Sequence, residues 1–330
     1  MTVLVTGGAG YIGSHMALEL VDANERLVIL DDLSTGFRRA VPQGVELVVG
    51  DFGDAALVTE LIERHGVDEI IHFAAKIIVP ESVANPLLYY HNNTAKAREL
   101  LATAVSSGVK RFIFSSTAAV YGDVRANPVT EETPLNPVSP YGRSKLMVEW
   151  MLEDVSRAHD FNYVALRYFN VAGADPKGRG GQSTPNATHL IKVAAQAALG
   201  LREKLQVFGV DYPTPDGSCV RDYIQVTDLA RAHMDALRFL RGGGKSLVCN
   251  CGYERGFSVL EVVETVKRVS GVDFRVEISE RRAGDPAAIV AANGRIRSVL
   301  GWTPRHDDLE QIVRQALDWE RRLAAQATLP

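Results

Sequence analysis

Short apolar runs alternate with amphipathic stretches through the first half of this chain. Thr2–Thr6, Leu27–Leu30, Val45–Val49, Glu69–Ala75, Arg111–Ser115 and Tyr163–Arg167 are brief segments rich in Val, Ile, Leu and Phe. Between them apolar residues recur at helical spacing: Met16, Leu18, Leu20 and Val21, then the run from Ala55 to His65, then Ala97, Leu100, Leu101 and Val105 after Asn92, then Leu146, Met147, Trp150 and Leu152. Near-continuous apolar strands separated by helices predict an α/β architecture, a doubly wound parallel sheet covered on both faces. After Tyr168-Phe169-Asn170 the pattern changes. Pro176 to Pro185 is rich in glycine, arginine and polar residues and reads as a long loop. A boundary there divides the chain into a first domain, 1–175, and a smaller mixed α/β domain, 176–330. The second carries predicted helices at Leu190–Leu199, Val226–Leu240, Val259–Val269 and from Leu309, with strands at Leu205–Phe208, Leu247–Cys251 and Phe274–Ile278. Parts of 219–245 are expected to pack back on the first domain.

Length and composition agree with this picture. The 330 residues suit two domains at roughly 150 residues each. Hydrophobic residues make up 46% and charged residues 23%, the composition of an ordinary globular chain with a large core. A net charge of -4 argues against general affinity for nucleic acid or anionic membrane. No apolar run reaches the ~18 residues of a membrane span. The chain opens directly on a strand pattern without a basic leader, so a cytoplasmic location is expected. Cys249 and Cys251 sit on one face of a predicted strand with no His/Cys cluster nearby, so buried thiols are expected and no metal site.

Chemistry enters at the first strand-to-helix turn. Gly7, Gly10 and Gly13 form Gly-x-x-Gly-x-x-Gly between Thr2–Thr6 and the first helical run. Backbone without side chains turns tightly there and lets a pyrophosphate approach the helix N-terminus, as in Rossmann-type dinucleotide sites. Asp31 ends the second strand, 18 residues after Gly13, near the ~20 expected for a ribose-binding carboxylate. A carboxylate there repels a 2′-phosphate and favours NAD over NADP; Arg38 and Arg39 read as a solvated loop. Asp31, Asp51, Ala74 and Ser115–Thr117 all fall at carboxyl ends of predicted strands, where such sheets bind ligands.

The second piece of chemistry is Tyr141-Gly142-Arg143-Ser144-Lys145. Ser139-Pro140 precedes it, and proline suits a helix's first turn. Residues four apart share a helix face, so Tyr141 and Lys145 present a phenol and an ammonium to one region. A nearby cation favours the phenolate, making the pair a candidate general base near neutral pH. Alone, Tyr-x-x-x-Lys is better explained by a half-exposed tyrosine and a solvated lysine.

Taken together, the glycine loop, Ser115-Ser116-Thr117 and Tyr141-x-x-x-Lys145 resemble the extended short-chain dehydrogenase/reductase family, and within it the nucleotide-sugar 4-epimerases. The blocks Phe114–Gly122, Ser139–Gly142, Arg167–Asn170, Asp211–Thr214 and Val220–Ile224 carry the resemblance nearly end to end. It implies NAD-dependent interconversion of UDP-glucose and UDP-galactose: C4 is oxidised transiently to a 4-keto sugar, which turns and receives the hydride on its other face. Tyr141 would take the O4 proton, directly or through Thr117, and Lys145 would also hold the nicotinamide ribose. The resemblance places Tyr11 and Ile12 on the pyrophosphate and Asp51 and Phe52 at the adenine. Phe73, Ala74, Ala75, Asn92 and Ser115 would line the cofactor, with Phe169 beside the nicotinamide. Asp32, Ser34 and Gly36 would join Asp31. Asn170, Arg221 and Arg282 would bind the diphosphate, Phe208 would border the uracil and Asp285 a ribose. Without the resemblance, Arg221 and Arg282 read as surface charges. A homodimer through the helices holding Asn92–Ser107 and Tyr141–Ala158 is also implied.

The chain departs from the family's pattern at three points. Ile77 stands where some members carry a cofactor-loop lysine, with Lys76 one position earlier. Ala187 stands for a substrate-contacting asparagine, and Ile289 for a tyrosine that limits the sugar pocket. The smaller Ile289 implies room for N-acetylated hexosamine substrates; pentose and hexuronate epimerases share the same frame. A dehydratase or decarboxylase needs extra acid and base groups after Thr117, and Ala118 and Ala119 offer none. A net oxidoreductase would turn over NAD(H) in bulk solution. A non-catalytic NAD-binding regulator would have no need of Thr117, Tyr141 and Lys145 together.

Overall fold

The computed structural model describes residues 1–124, 127–184, 187–282 and 285–327. Its thirteen strands are β1 (Thr2–Thr6), β2 (Arg26–Asp31), β3 (Glu46–Val49), β4 (Val67–His72), β5 (Arg111–Thr117), β6 (Asn162–Tyr168), β7 (Asn170–Ala172), β8 (Leu205–Phe208), β9 (Val220–Gln225), β10 (Leu247–Cys251), β11 (Gly256–Ser258), β12 (Val276–Ser279) and β13 (Ala288–Ile289). Seven of them form one parallel sheet in the order β10-β6-β5-β4-β1-β2-β3. The order reverses direction at β1, the switch point where doubly wound sheets open a crevice for ligand. Both faces are covered. Met16, Ala17 and Leu20 on the first helix pack one face with Leu229, Ala236 and Leu237, while Leu61, Leu100, Val148 and Leu152 pack the other.

The seventh strand, β10, and the helix Val226–Arg241 come from chain beyond residue 176 and pack on the large sheet. Cys249 and Cys251 lie on β10, fully buried with free thiols. Two element bounds differ from the sequence reading in a way that matters. The fourth strand ends at His72, so Phe73, Ala74 and Ala75 leave the sheet and line its carboxyl end. The fifth runs on to Thr117, holding that residue in extended backbone. His72 is a core residue whose Nδ1 pairs with the Thr6 hydroxyl at 2.7 Å. Of the loop expected from Pro176, Pro185 lies outside the described residues.

Two small sheets make the second layer around the crevice. β9 is flanked by β11 and β13 and also pairs with β7, which sets Asn170 beside Tyr223 and Arg221 beside Ile289. β8 pairs with β12, bringing Phe208 level with Ser279. The short strands of the first small sheet are weakly periodic, and of its four members none stands out in the hydropathy pattern.

Candidate active site

The glycine turn has the form a dinucleotide requires. Gly7 has φ +73°, and a Cβ on it would lie 2.6 Å from the Ala74 nitrogen. A Cβ on Gly13 would lie 2.2 Å from the Gly7 carbonyl oxygen. Gly10 caps the helix Tyr11–Asp22 in extended backbone and its side-chain-free surface faces the turn. The cradle is braced by Asp31, whose two carboxylate oxygens accept from the Ala9 N–H at 2.9 Å and the Leu33 N–H at 2.8 Å. Burial raises its pKa, opposed by these two hydrogen bonds. Each carboxylate oxygen keeps a second lone pair, so the same group can still accept from ribose hydroxyls. Asp32 receives the Ser34 N–H at 2.8 Å, and Gly36 packs against Ala9 where a Cβ would clash at 2.8 Å. Tyr11 uses its phenol on the Gly173 carbonyl at 2.7 Å, which leaves its backbone, with that of Ile12, for an anion.

Asp51 ends beside Phe52 past β3 and accepts from Gly53 N–H at 2.9 Å and from the Lys96 ammonium at 2.5 Å. Burial raises the Asp51 pKa, but the Lys96 and Gly53 hydrogen bonds outweigh it and hold the carboxyl below its usual range. No motif or spacing in the chain singles out Lys96. The same is true of Asn93. Its amide accepts from the Lys76 N–H and donates to the Lys76 carbonyl, both at 2.9 Å, and also donates to the Ser144 hydroxyl at 3.1 Å. It thereby ties the segment after Phe73–Ala75 to the catalytic helix. Asn92 is half-buried and donates to Asn93 at 3.0 Å. Both lie in a widened helical turn at Tyr90–Ala95, a distortion frequent at functional sites. Ile77 is half-exposed.

Opposite the cradle stands the helix Pro140–Ala158, started by Pro140 and by the Ser139 hydroxyl accepting the Gly142 N–H at 3.1 Å. Tyr141 is 8% exposed, with its phenol close enough to the Thr117 hydroxyl to feel it. Thr117 also accepts the Ala119 N–H at 3.1 Å, fixing its rotamer. Lys145 is 3% exposed, donates to the Ser115 carbonyl at 2.7 Å and lies 4.6 Å from the centre of the Phe114 ring. Burial lowers its pKa to about 7, opposed by the negative charge of Glu149. Burial raises the pKa of the Tyr141 phenol, with the Thr117 hydroxyl pulling the other way. The phenol made acidic by Lys145 alone is therefore not the resting arrangement: desolvation disfavours both charges, and proton transfer needs Lys145 cationic. Tyr168, at the end of β6, hydrogen-bonds the Ser115 hydroxyl beside this pair and was not among the expected site residues.

The remaining candidate residues come from distant segments. Asn170 lies in β7 beside Tyr223, and Phe169 is buried near Ala118 and Ile289. Arg221 donates to the Pro286 carbonyl at 2.8 Å and lies 3.9 Å from Asp285. The Arg282 guanidinium sits over the Phe208 ring at 3.7 Å. Ala187 and Ile289 are both buried. Arg221, Arg282, Phe208 and Asp285 thus gather at one edge of the crevice, and the glycine cradle with Tyr141 and Lys145 occupies the sheet ends.

Residues 3–252 match the model of the NAD dependent epimerase/dehydratase family. The chain is 57% identical to UDP-glucose 4-epimerase of Azospirillum brasilense over 97% of this chain and 92% of that one. A crystal structure of UDP-glucose 4-epimerase from Brucella ovis in complex with NAD superposes with TM-score 0.93 at 44% identity, covering 96% of this chain and 97% of that one. The structure of the UDP-Glc/GlcNAc 4-epimerase from Campylobacter jejuni is 48% identical with TM-score 0.85, covering 97% and 99% of the two chains. The chain belongs to the NAD dependent epimerase/dehydratase family, within the extended short-chain dehydrogenases/reductases.

Proposed function

We propose that this protein interconverts UDP-glucose and UDP-galactose by NAD-dependent epimerisation at C4. The observation that carries the reading is the buried Tyr141 and Lys145 four residues apart on one helix, beside Thr117 at the end of β5, set against a turn that only glycine can form. Bound NAD+ supplies reversible hydride removal and return at C4, so the sugar is oxidised and reduced within one turnover. Gly7, Gly10, Gly13, Tyr11 and Ile12 hold the pyrophosphate, Asp31 the adenosine ribose, and Asp51 with Phe52 the adenine. Tyr141 removes the O4 proton, relayed through Thr117 or taken directly, and returns it to the epimeric oxygen. Lys145 in its ammonium form stabilises the phenolate and orients the nicotinamide ribose. Asn170, Arg221 and Arg282 bind the diphosphate, the two arginines through planar donors suited to phosphate oxygens. Phe208 borders the uracil. Ala118 and Ala119 follow Thr117 without any acid or base group, which favours epimerisation over dehydration or decarboxylation.

Incubating the purified protein with UDP-glucose without added NAD, and following products by NMR, should give the galactose epimer and no net NADH. Absence of any C4 epimer from a panel of UDP-sugars would overturn the reading. The Campylobacter jejuni relative is named for GlcNAc as well as Glc, and Ile289 leaves room beside the sugar for an N-acetyl group. We extend the proposal to N-acetylhexosamines on that ground; no turnover of UDP-N-acetylglucosamine by enzyme active on UDP-glucose removes the extension.

A homodimer is part of the proposal. Trp150 is 54% exposed on one of the two helices named for it, Leu87 is 77% exposed in the Pro86–Tyr89 segment that runs into the other, and Tyr90, Thr94, Met147 and Met151 line a groove between the two helices. A monomer by light scattering would exclude it. No helix among the described residues is long and apolar enough to cross a membrane, and we place the enzyme in the cytoplasm with its nucleotide-sugar substrate.

A further inference from the structure

Beneath Tyr141 and Lys145 lies a charged pair that the chemistry above leaves unused. Glu149 and Arg167 are paired at 2.6 Å with each side chain only 5% exposed. The pair is bidentate, with Arg167 Nε donating to Glu149 Oε1 at 3.1 Å and Nη2 to Oε2 at 2.6 Å. Breaking up such a buried pair leaves an uncompensated charge, so its members hold each other in place. Two connections lead from it to the reacting residues. The Ser116 hydroxyl, between Ser115 and Thr117, donates to Glu149. Glu149 is also one turn after Lys145 on the same helix. A third connection leads away: Arg167 donates to the Tyr121 hydroxyl at 3.0 Å, Tyr121 to Asn250 at 2.6 Å, and Asn250 to the Val129 carbonyl at 2.9 Å. Val129 in turn donates to the Val290 carbonyl at 2.8 Å, next to Ile289.

We infer that Glu149 and Arg167 are positioning residues: they lock β5 to the Tyr141–Lys145 helix, set a carboxylate one turn from Lys145, and tie that helix to the 288–291 wall of the proposed sugar site. The inference rests on the epimerase reading and adds to it the residues that set the geometry of the base. A strand-to-helix lock is needed because Thr117 and Tyr141 come from different elements and must meet within hydrogen-bond reach. The groups facing Lys145 are His72 from β4, the Phe114 ring and Ser115 carbonyl from β5, and Tyr141 and Glu149 from its own helix. Those facing Glu149 are Arg167 and Tyr163 from β6, with Tyr121 and Glu131 beyond Arg167. Glu149 is the sole carboxylate close to Lys145 among the groups acting on it.

The test uses the NAD-loaded enzyme and two variants. The double substitution Glu149→Gln/Arg167→Met removes both charges and keeps the site neutral; Ser116→Ala removes the strand contact alone. For the double variant, kcat should fall about 10- to 100-fold with KM changed less than about twofold, the scale expected for a small misplacement of catalytic groups. The alkaline limb of its pH–rate profile should move to lower pH, as Lys145 loses its proton sooner. The Lys145 resonance in 13C-lysine-labelled holoenzyme, assigned by its loss in Lys145→Met, should titrate at lower pH in the double variant. Ser116→Ala should lower kcat a few-fold at an unchanged Lys145 titration. If the double variant does not fold, the Ser116→Ala kcat decides. A kcat and Lys145 titration matching wild type would reduce the pair to a structural brace and overturn the inference. Should wild type form no epimer, the activity reading fails while the Lys145 titration still decides whether Glu149 sets its charge.

Discussion

The two walls of the crevice are built differently. The cofactor wall is one continuous sheet edge in which backbone does most of the work: Gly7, Gly13 and the Asp31-braced Ala9 are already in a form that admits a pyrophosphate. The proposed substrate wall is made of side chains from separate segments, several of them already engaged. Arg282 covers Phe208, and Arg221 holds the Pro286 carbonyl. A ligand entering the first wall meets a preformed surface, whereas one entering the second must exchange existing contacts for its own. Preorganisation of this kind reduces the ordering cost of binding. The difference suits a cofactor that stays and a substrate that leaves.

The largest break in this comparison comes from the residue standing between the walls. Tyr141→Phe keeps the ring packing and removes the proton acceptor; kcat should drop about 10²- to 10⁴-fold, with NAD content unchanged on extraction. Next, Gly7→Ala attacks the cofactor wall. Positive φ disfavours any side chain by about 1–2 kcal/mol, and the Ala74 clash adds to it, so the variant should purify without NAD and melt lower. Arg282→Ala attacks the substrate wall alone. Loss of a charged hydrogen bond worth about 1.5–3 kcal/mol should weaken UDP binding roughly 10- to 100-fold by calorimetry, with NAD content retained. Retained UDP affinity would remove Arg282 from the site.

A smaller effect concerns pH. Burial lowers the Lys145 pKa from 10.5 to about 7, so between these values the unfolded chain carries a proton that the folded chain has released. Stability therefore rises with pH across that window, and the penalty of the buried charge is fully present below about 7. The apoprotein of Lys145→Met should exceed wild type in Tm most below pH 7, with the gap closing towards 10.5; a constant gap would contradict the burial argument. The mildest change expected for catalysis is Trp150→Asp, which should give a monomer by light scattering with little change in kcat.

Much of this was legible in the chain because it is local. Near-continuous apolar runs and stretches of helical period predicted the large sheet, and strand, glycines and helix in order located the cradle. Tyr141 and Lys145 share a helix, so their spacing alone placed them together. The strand order, the recruitment of β10 from the second half, and the pairing of Arg221 with Ile289 across β9 and β13 involve contacts between segments far apart in sequence. No periodicity records those. Lys96, Asn93 and Tyr168 were missed for the same reason: each becomes a site residue only through a partner on another element.

Taken alone, the amino-acid order determined which residues could turn tightly, which could carry a proton, and which stretches would bury. Those are properties of a residue and its immediate neighbours, and they need no fold to be stated. Burial of Lys145, engagement of Tyr141 with Thr117, and the Glu149–Arg167 pair beneath them were decided by tertiary structure. Desolvation and hydrogen-bond geometry depend on what surrounds a group in space, and only the packed chain supplies those surroundings.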